Sequence, residues 1–136
     1  MRINSFPAIS KERVNTLQVN LGYKCNQACS HCHVEASPNR TEMMNKENID
    51  LIPKILEKFN INRLDITGGA PELHPNFKEL IYKSKNTGCE IIDRCNLTIL
   101  LEPGYTDMPR FLAENKVNIF ASLPCYLEDN VDKQRG

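Results

Sequence analysis

Leu17-Gln18-Val19-Asn20-Leu21 runs directly into Gly22-Tyr23-Lys24-Cys25-Asn26-Gln27-Ala28-Cys29-Ser30-His31-Cys32-His33. An alternating apolar and polar run is the mark of a strand with one buried face, and a glycine then turns the chain into a loop with three thiols. Further strand-like runs follow downstream, with no internal repeat of sequence. Arg63 to Thr67 reads as a second strand ending in Gly68-Gly69, Glu90 to Asn96 as a third, and Val117 to Leu123 as a fourth. Between the first two strands Ile49, Ile52, Ile55, Leu56 and Phe59 recur at helical spacing, with Pro53 expected to weaken or bend that helix. A second helix carries Phe77, Leu80 and Ile81, with Pro75 suited to its first turn and Gly88 past its end. A shorter third helix carries Met108, Phe111 and Leu112. Alternating βα units predict an α/β fold with a parallel sheet and right-handed crossovers.

The parity of the strands narrows the architecture. A sheet covered by helices on both faces has strands that are apolar nearly throughout, whereas these alternate. Leu17, Val19 and Leu21 oppose Gln18 and Asn20; Leu64 and Ile66 oppose Asp65 and Thr67. Ile91, Asp93 and Cys95 alternate with Ile92, Arg94 and Asn96, and Val117, Ile119, Ala121 and Leu123 with Asn118, Phe120 and Ser122. If the first set packs on helices, the second lines a polar interior, as in the wall of a TIM-like (β/α) barrel. A complete eight-unit barrel takes about 250 residues, and this chain has 136. The expectation is the N-terminal part of an incomplete barrel, about four parallel strands with helices outside, ending in a polar tail from Glu128 to Gly136.

The chemistry follows from the C-x3-C-x2-C array. Three thiolates this close can hold three corners of a [4Fe-4S] cluster and leave one iron without a protein ligand. The alternative is a closed zinc site completed by His31 or His33. Zinc sites usually pair cysteines as C-x2-C with a second pair downstream, which this sequence lacks.

The array, placed after the first strand of a βα series, resembles the signature of the radical SAM superfamily. The resemblance implies that Cys25, Cys29 and Cys32 bind the cluster and that its open iron takes the amino and carboxylate groups of S-adenosylmethionine. The electron passed to that cofactor would yield methionine and a 5'-deoxyadenosyl radical. His31, in a position usually aromatic, would lie against the adenine. Thr67-Gly68-Gly69-Ala70-Pro71-Glu72 is similar to the family segment that hydrogen-bonds the methionine amino group, with Ala70 in place of the usual acid and Glu72 two residues later. Asn96, Thr98 and Ser122 would hold the ribose and carboxylate, with Arg94 as a carboxylate partner through its planar fork.

Val19 to Cys25, His33 to Pro38, Thr67 to Pro75, Asn96 to Thr98 and Ala121 to Tyr126 resemble one branch in particular, the arsenosugar-biosynthesis enzymes with a Cys-rich C-terminal domain. That likeness implies a radical SAM core over residues 1–136, without the Cys-rich domain, and a dimethylated trivalent arsenical as small-molecule substrate. An electron donor such as a flavodoxin or ferredoxin is implied too. Other substrates within the same radical chemistry, a peptide or another small molecule, remain open, as does a non-catalytic metal-binding module.

Composition sets the outer limits. The 17 basic residues balance 17 acidic ones, which argues against charge-driven binding to nucleic acid or a membrane surface. No apolar run approaches the roughly 20 residues of a membrane span, and Met1 to Pro7 lacks a signal-peptide core, so a cytoplasmic location is expected. Six cysteines then point to metal ligands or catalytic thiols. Cys125 and Cys95 fall at the C-terminal strand ends where such barrels place their sites. A soft thiolate suits a soft centre, so Cys125 is the first candidate for a substrate-contacting thiol and Cys95 the second. Cys89 sits at the opposite rim, His33 could tune a cluster from beside it, and His74 is expected to be solvated or capping. Asn45 to Asn48 reads as a solvated helix start.

Overall fold

In the computed structural model residues 8, 10, 12–122 and 125–135 are described. They form a four-stranded sheet in the order β1-β2-β3-β4, with β1 Thr16–Asn20, β2 Arg63–Thr67, β3 Glu90–Asp93 and β4 Asn118–Ile119. All three pairings are parallel, with Val19 beside Ile66 and Ile66 beside Asp93. Helices α1 Lys46–Lys58, α2 Phe77–Lys85 and α3 Met108–Glu114 are the crossovers, and α4 Glu128–Arg135 follows the last strand.

The apolar parity set faces those crossovers. Val19, Leu64 and Ile66 meet Ile49, Ile52 and Leu56 of α1, Phe77, Leu80 and Ile81 of α2, and Phe111 and Leu112 of α3 in one core. The α1 helix starts where expected, because the Asn45 side chain accepts from the Asn48 N–H at 2.9 Å and so satisfies an orphan first-turn donor. It also runs through Pro53. The lost amide costs one backbone bond, and burial of Ile49, Ile52 and Leu56 on either side holds the helix together.

Several boundaries differ from the sequence reading. β1 lies one residue earlier than expected, although Leu21 N still donates to Thr67 O. Pro75 is not in the first turn of α2 but in the turn before it, since the 3-10 segment Pro71–Leu73 and His74 fill the start of this connection. β3 stops at Asp93 rather than Asn96, because Cys95 and Asn96 leave the ladder to meet the cysteine loop. β4 is two residues rather than seven: beyond Phe120, whose N–H reaches Asp93 O, no further strand lies alongside it among the described residues. Leu123 and Pro124 fall outside the described residues, as do Gly136 and residues 1–7. The supposed polar tail is the helix α4, whose sequence shows no apolar stripe and buries no residue. The sheet is therefore open, with β1 and β4 at its edges. No described helix is long and apolar enough to cross a membrane.

Leu64 is fully buried in the middle of this core. Leu64→Ala should destabilise the fold by about 2–5 kcal/mol through lost transfer energy and a residual cavity, read as a lower urea midpoint with an unchanged slope.

Candidate functional site

At the C-terminal ends of the strands a cavity of about 470 Å³ opens. Its wall includes Cys25, Cys29, His31 and Cys32 from the loop after β1, Thr67, Gly68 and Gly69 from the end of β2, Arg94 and Asn96 from the exit of β3, and Ser122 beyond β4. Apart from Thr98, every candidate cofactor or metal residue of the sequence reading lies on that wall; Cys125 does not.

Backbone contacts hold the two loops together. Gly69 N donates to Gly22 O and Ala70 N to Lys24 O, each at 2.9 Å. A side chain at Gly69 would place its Cβ 2.4 Å from Lys24 O, and one at Gly68, where φ is +155°, would sit 2.9 Å from Gly22 O. These glycines are needed for the close approach. The Gly69 and Ala70 amides are consumed by it, and among the described residues nothing donates to the Gly68 or Gly69 carbonyls. What the turn can offer a ligand is acceptors, the chemistry an ammonium group requires.

The thiols have donors around them. Cys25 Sγ accepts from Gln27 N and Asn96 Nδ2, both at 3.4 Å, and Cys32 Sγ from Ala36 N at 3.3 Å. Such bonds stabilise thiolate ligands and tune clusters. The Cys29 thiol is pushed up by burial and then by the neighbouring Cys25 and Cys32, with Arg135 pulling the other way. The Cys25 and Cys32 sulfurs thus lie close enough to raise that of Cys29. Among the described residues the potential ligands converging within 4.8 Å of one another are Glu72, Asp93 and Cys95, not the loop cysteines with a histidine. A tetrahedral zinc with bonds of about 2.3 Å needs sulfurs roughly 3.8 Å apart. Among the described residues the loop thiols and histidines do not stand in such a closed set.

Asn96 is the hub between strands. It donates to Asn26 Oδ1 at 2.8 Å and to Cys25, while its own Oδ1 accepts from Thr98 Oγ1 at 3.1 Å and Ile99 N at 3.0 Å. Thr98 is bound in turn by Asn26, so it supports Asn96 and lies off the cavity wall.

Arg94 is a correction. Its Nε and Nη2 grip Asp65 at 2.7 and 2.8 Å, and Gln18 Nε2 adds a third bond at 2.9 Å. The polar parity set is satisfied within itself, and the planar fork expected to hold a ligand carboxylate is occupied. The cation that sequence reading missed is Arg135: from α4 it reaches Asn96 O at 3.1 Å and also Ser122 O. The same helix end meets the cysteine loop, where Gln134 O accepts from Ser30 N and touches His31 Nδ1. Only the helix brings these residues back to the site, and its sequence carries no packing signal.

The other candidates also find their places. His74 is buried rather than solvated, its Nε2 2.8 Å from Met44 O and its Nδ1 capping Asn76 N. Cys89 donates to Ser84 O at the opposite rim. His33 lines the cavity. Cys125 Sγ accepts from Leu127 N and Asn130 Nδ2 at the foot of α4. Cys95 is buried with Glu72 and Asp93.

The profile of the radical SAM superfamily matches residues 19–123, which contain the cysteine loop and the glycine turn. The chain belongs to the radical SAM superfamily. This family uses a [4Fe-4S] cluster and S-adenosylmethionine. Among curated relatives, the "Probable GTP 3',8-cyclase" of Saccharolobus solfataricus is 33% identical over 86 residues, 63% of this chain and 28% of that protein. Its counterpart in Sulfurisphaera tokodaii is 28% identical over 65% of this chain and 28% of its own length. The chain therefore spans just over a quarter of the curated relatives it matches. Among solved structures, Streptococcus suis SuiB superimposes with a TM-score of 0.72 at 16% identity, over 91% of this chain and 27% of that one. BtrN, in complex with AdoMet and 2-DOIA, gives 0.66 at 15% identity over 93% and 54%. These likenesses establish the fold.

The Arg94 guanidinium holds the Asp65 carboxyl below the usual carboxylate range, so the pair stabilises the fold at neutral pH and that contribution is lost as pH falls through the lowered value. Asp65→Asn should cost about 1 kcal/mol at pH 7, since Arg94 is half-exposed, and should flatten the acid limb of stability measured by urea unfolding between pH 7 and 3.

Proposed function

We propose that this chain forms the cofactor-binding part of an enzyme that cleaves S-adenosylmethionine reductively, and that a dimethylated trivalent arsenical receives the adenosyl group. The observation that carries the first statement is the convergence of three spaced thiols, a glycine turn with free carbonyls and the Asn96 hub on one cavity. Cys25, Cys29 and Cys32 would hold the cluster. When bound, it supplies the electron that breaks the sulfonium and leaves a 5'-deoxyadenosyl radical. The Gly68 and Gly69 carbonyls would accept from the methionine amino group. His31 would lie against the adenine, and Asn96 and Ser122 would meet the ribose or carboxylate. With Arg94 held by Asp65, Arg135 beside Ser122 is the cation better placed for that carboxylate.

Support for the arsenical comes from the likeness of Val19 to Pro38, Thr67 to Pro75, Asn96 to Thr98 and Ala121 to Tyr126 to the arsenosugar-forming branch. Cys125, partly exposed and not buried among acids, is the thiol offered to arsenic. A second reading follows from the relatives, whose printed name points to GTP as the substrate; the same radical would then act on a purine nucleotide.

Anaerobic reconstitution should load four irons per chain on Cys25, Cys29 and Cys32, with a spectroscopic change on adding S-adenosylmethionine. Cys29→Ala should abolish both, and stoichiometric zinc without a cofactor response would end the reading. In the full-length enzyme, formation of 5'-deoxyadenosine that rises with a dimethylated arsenical and not with GTP supports the first substrate; the reverse supports the second. Cys125→Ser should leave cluster loading and cofactor binding intact and lower arsenical turnover about tenfold or more, an order typical of losing a contact made to the reacting centre.

A further inference from the structure

Glu72 and Asp93 are 3% and 0% exposed, and Cys95 is 2% exposed. Neither the two Glu72 oxygens nor the two Asp93 oxygens have a hydrogen-bond donor. One ligand atom from each of the three residues lies within 4.8 Å of the other two. Two ionised carboxylates cannot share so dry a space without a cation, and among the described residues no basic side chain bonds to either acid. Zinc takes both carboxylate and thiolate ligands, so a bound cation is the outcome the experiment has to exclude. A proton satisfies all three groups: a neutral Asp93 carboxyl can donate to Glu72, and the Cys95 thiol can donate to it as well.

We propose that Glu72, Asp93 and Cys95 form a protonated carboxyl latch that positions the Gly68–Gly69 turn against the exit of β3. Glu72 stands on the 3-10 segment directly after the glycine turn. Cys95 Sγ in turn accepts from Leu97 N at 3.2 Å, where Leu97 has φ +65°, a conformation a leucine adopts only under constraint. That turn is what directs Asn96 at Cys25 and Asn26. The latch therefore joins the two segments that face the cavity from behind, and Glu72 is a positioning residue that takes no direct part in the site. The displaced acid of the glycine motif has moved from the cavity to its support.

Burial, then the neighbouring Glu72, raises the Asp93 carboxyl to about 9, and burial raises Glu72 as well. A raised value means that the folded state binds the proton more tightly than the unfolded one. Stability is then greatest near and below the ordinary carboxylate range and falls as pH rises toward about 9. The other titratable groups of the surrounding elements are Cys25 and Cys32 of the cysteine loop, Tyr105 after the 3-10 segment Thr98–Leu101, Lys78 of α2, and His74, whose imidazole is tied to Met44 O. Comparison with Asp93→Asn isolates the latch from them, because the amide keeps a donor to Glu72 and cannot ionise.

The experiment uses the metal-free 136-residue chain, so it is independent of the cofactor reading. Between pH 6 and 9 the wild-type melting temperature should drop by about 5 °C more than that of Asp93→Asn. Amide hydrogen exchange at Gly69, Ala70 and Leu97 should accelerate about tenfold or more in Glu72→Ala and return to the wild-type rate in Glu72→Gln, which keeps an acceptor. Parallel pH profiles would overturn the proposal, as would failure of Glu72→Gln to restore protection. One chelatable divalent metal per wild-type chain, lost in Asp93→Asn, would overturn it in favour of a cation site.

Discussion

The close approach of two backbones, Gly22 to Lys24 against Gly68 to Ala70, is the contact on which the site depends. Two amide bonds of 2.9 Å tie the loops, and the contact exists only because positions 68 and 69 carry no side chain. It sets the height of the cysteine loop above the sheet. Without it, thiols on a flexible loop would have to pay the entropy of ordering when a metal core binds; with it, most of that cost is met on folding. The same contact consumes the turn's amides and leaves its carbonyls, so one piece of packing fixes both where the thiols stand and which ligand chemistry the neighbouring turn can serve.

Strand alternation then assigns the remaining polar groups to two networks on opposite sides of the sheet. On the cavity side Gln18, Asp65 and Arg94 close a charge-assisted set. On the helix side Asp93 occupies a position whose parity is apolar, beside Ile66, where an ionised acid would be costly. The fold tolerates it because Glu72 and Cys95 arrive at the same point. An acid at a core parity position, followed two residues later by a cysteine, is a local breach of the binary pattern. Such breaches tend to mark a constraint other than packing.

Much of this architecture is legible in the residues themselves. The period-two runs locate all four strands and give β2 to the residue, and the i, i+3, i+4 spacing locates three helices, because burial on one face leaves a pattern in sequence. The array Cys25, Cys29 and Cys32 and the Gly68–Gly69 turn identify the cavity, since spacing of thiols and paired glycines reflect local geometry. Long-range pairing leaves no such mark. Nothing in Arg94 tells that its fork is taken by Asp65, a residue 29 positions away. Glu72 looks like a displaced ligand until its burial is seen. Helix α4, wholly polar, gives no amphipathic signal, and Arg135 was invisible for that reason.

The described chain is also uneven in a way that bears on specificity. β1, β2 and β3 end in the packed region, and the cavity-lining groups Cys25, Gly69 and Asn96 are each held by at least one hydrogen bond to another segment. At β4 the sheet narrows to a two-residue ladder, with Ile119 and Phe120 41% and 54% exposed. Local opening costs least where few apolar contacts and ladder bonds must break. The cofactor end thus shares the rigidity of the core, while Phe120, Ala121 and Ser122 reach the cavity from its least anchored wall. A reacting centre needs fixed geometry around it, whereas the opposite wall can vary without disturbing the thiols.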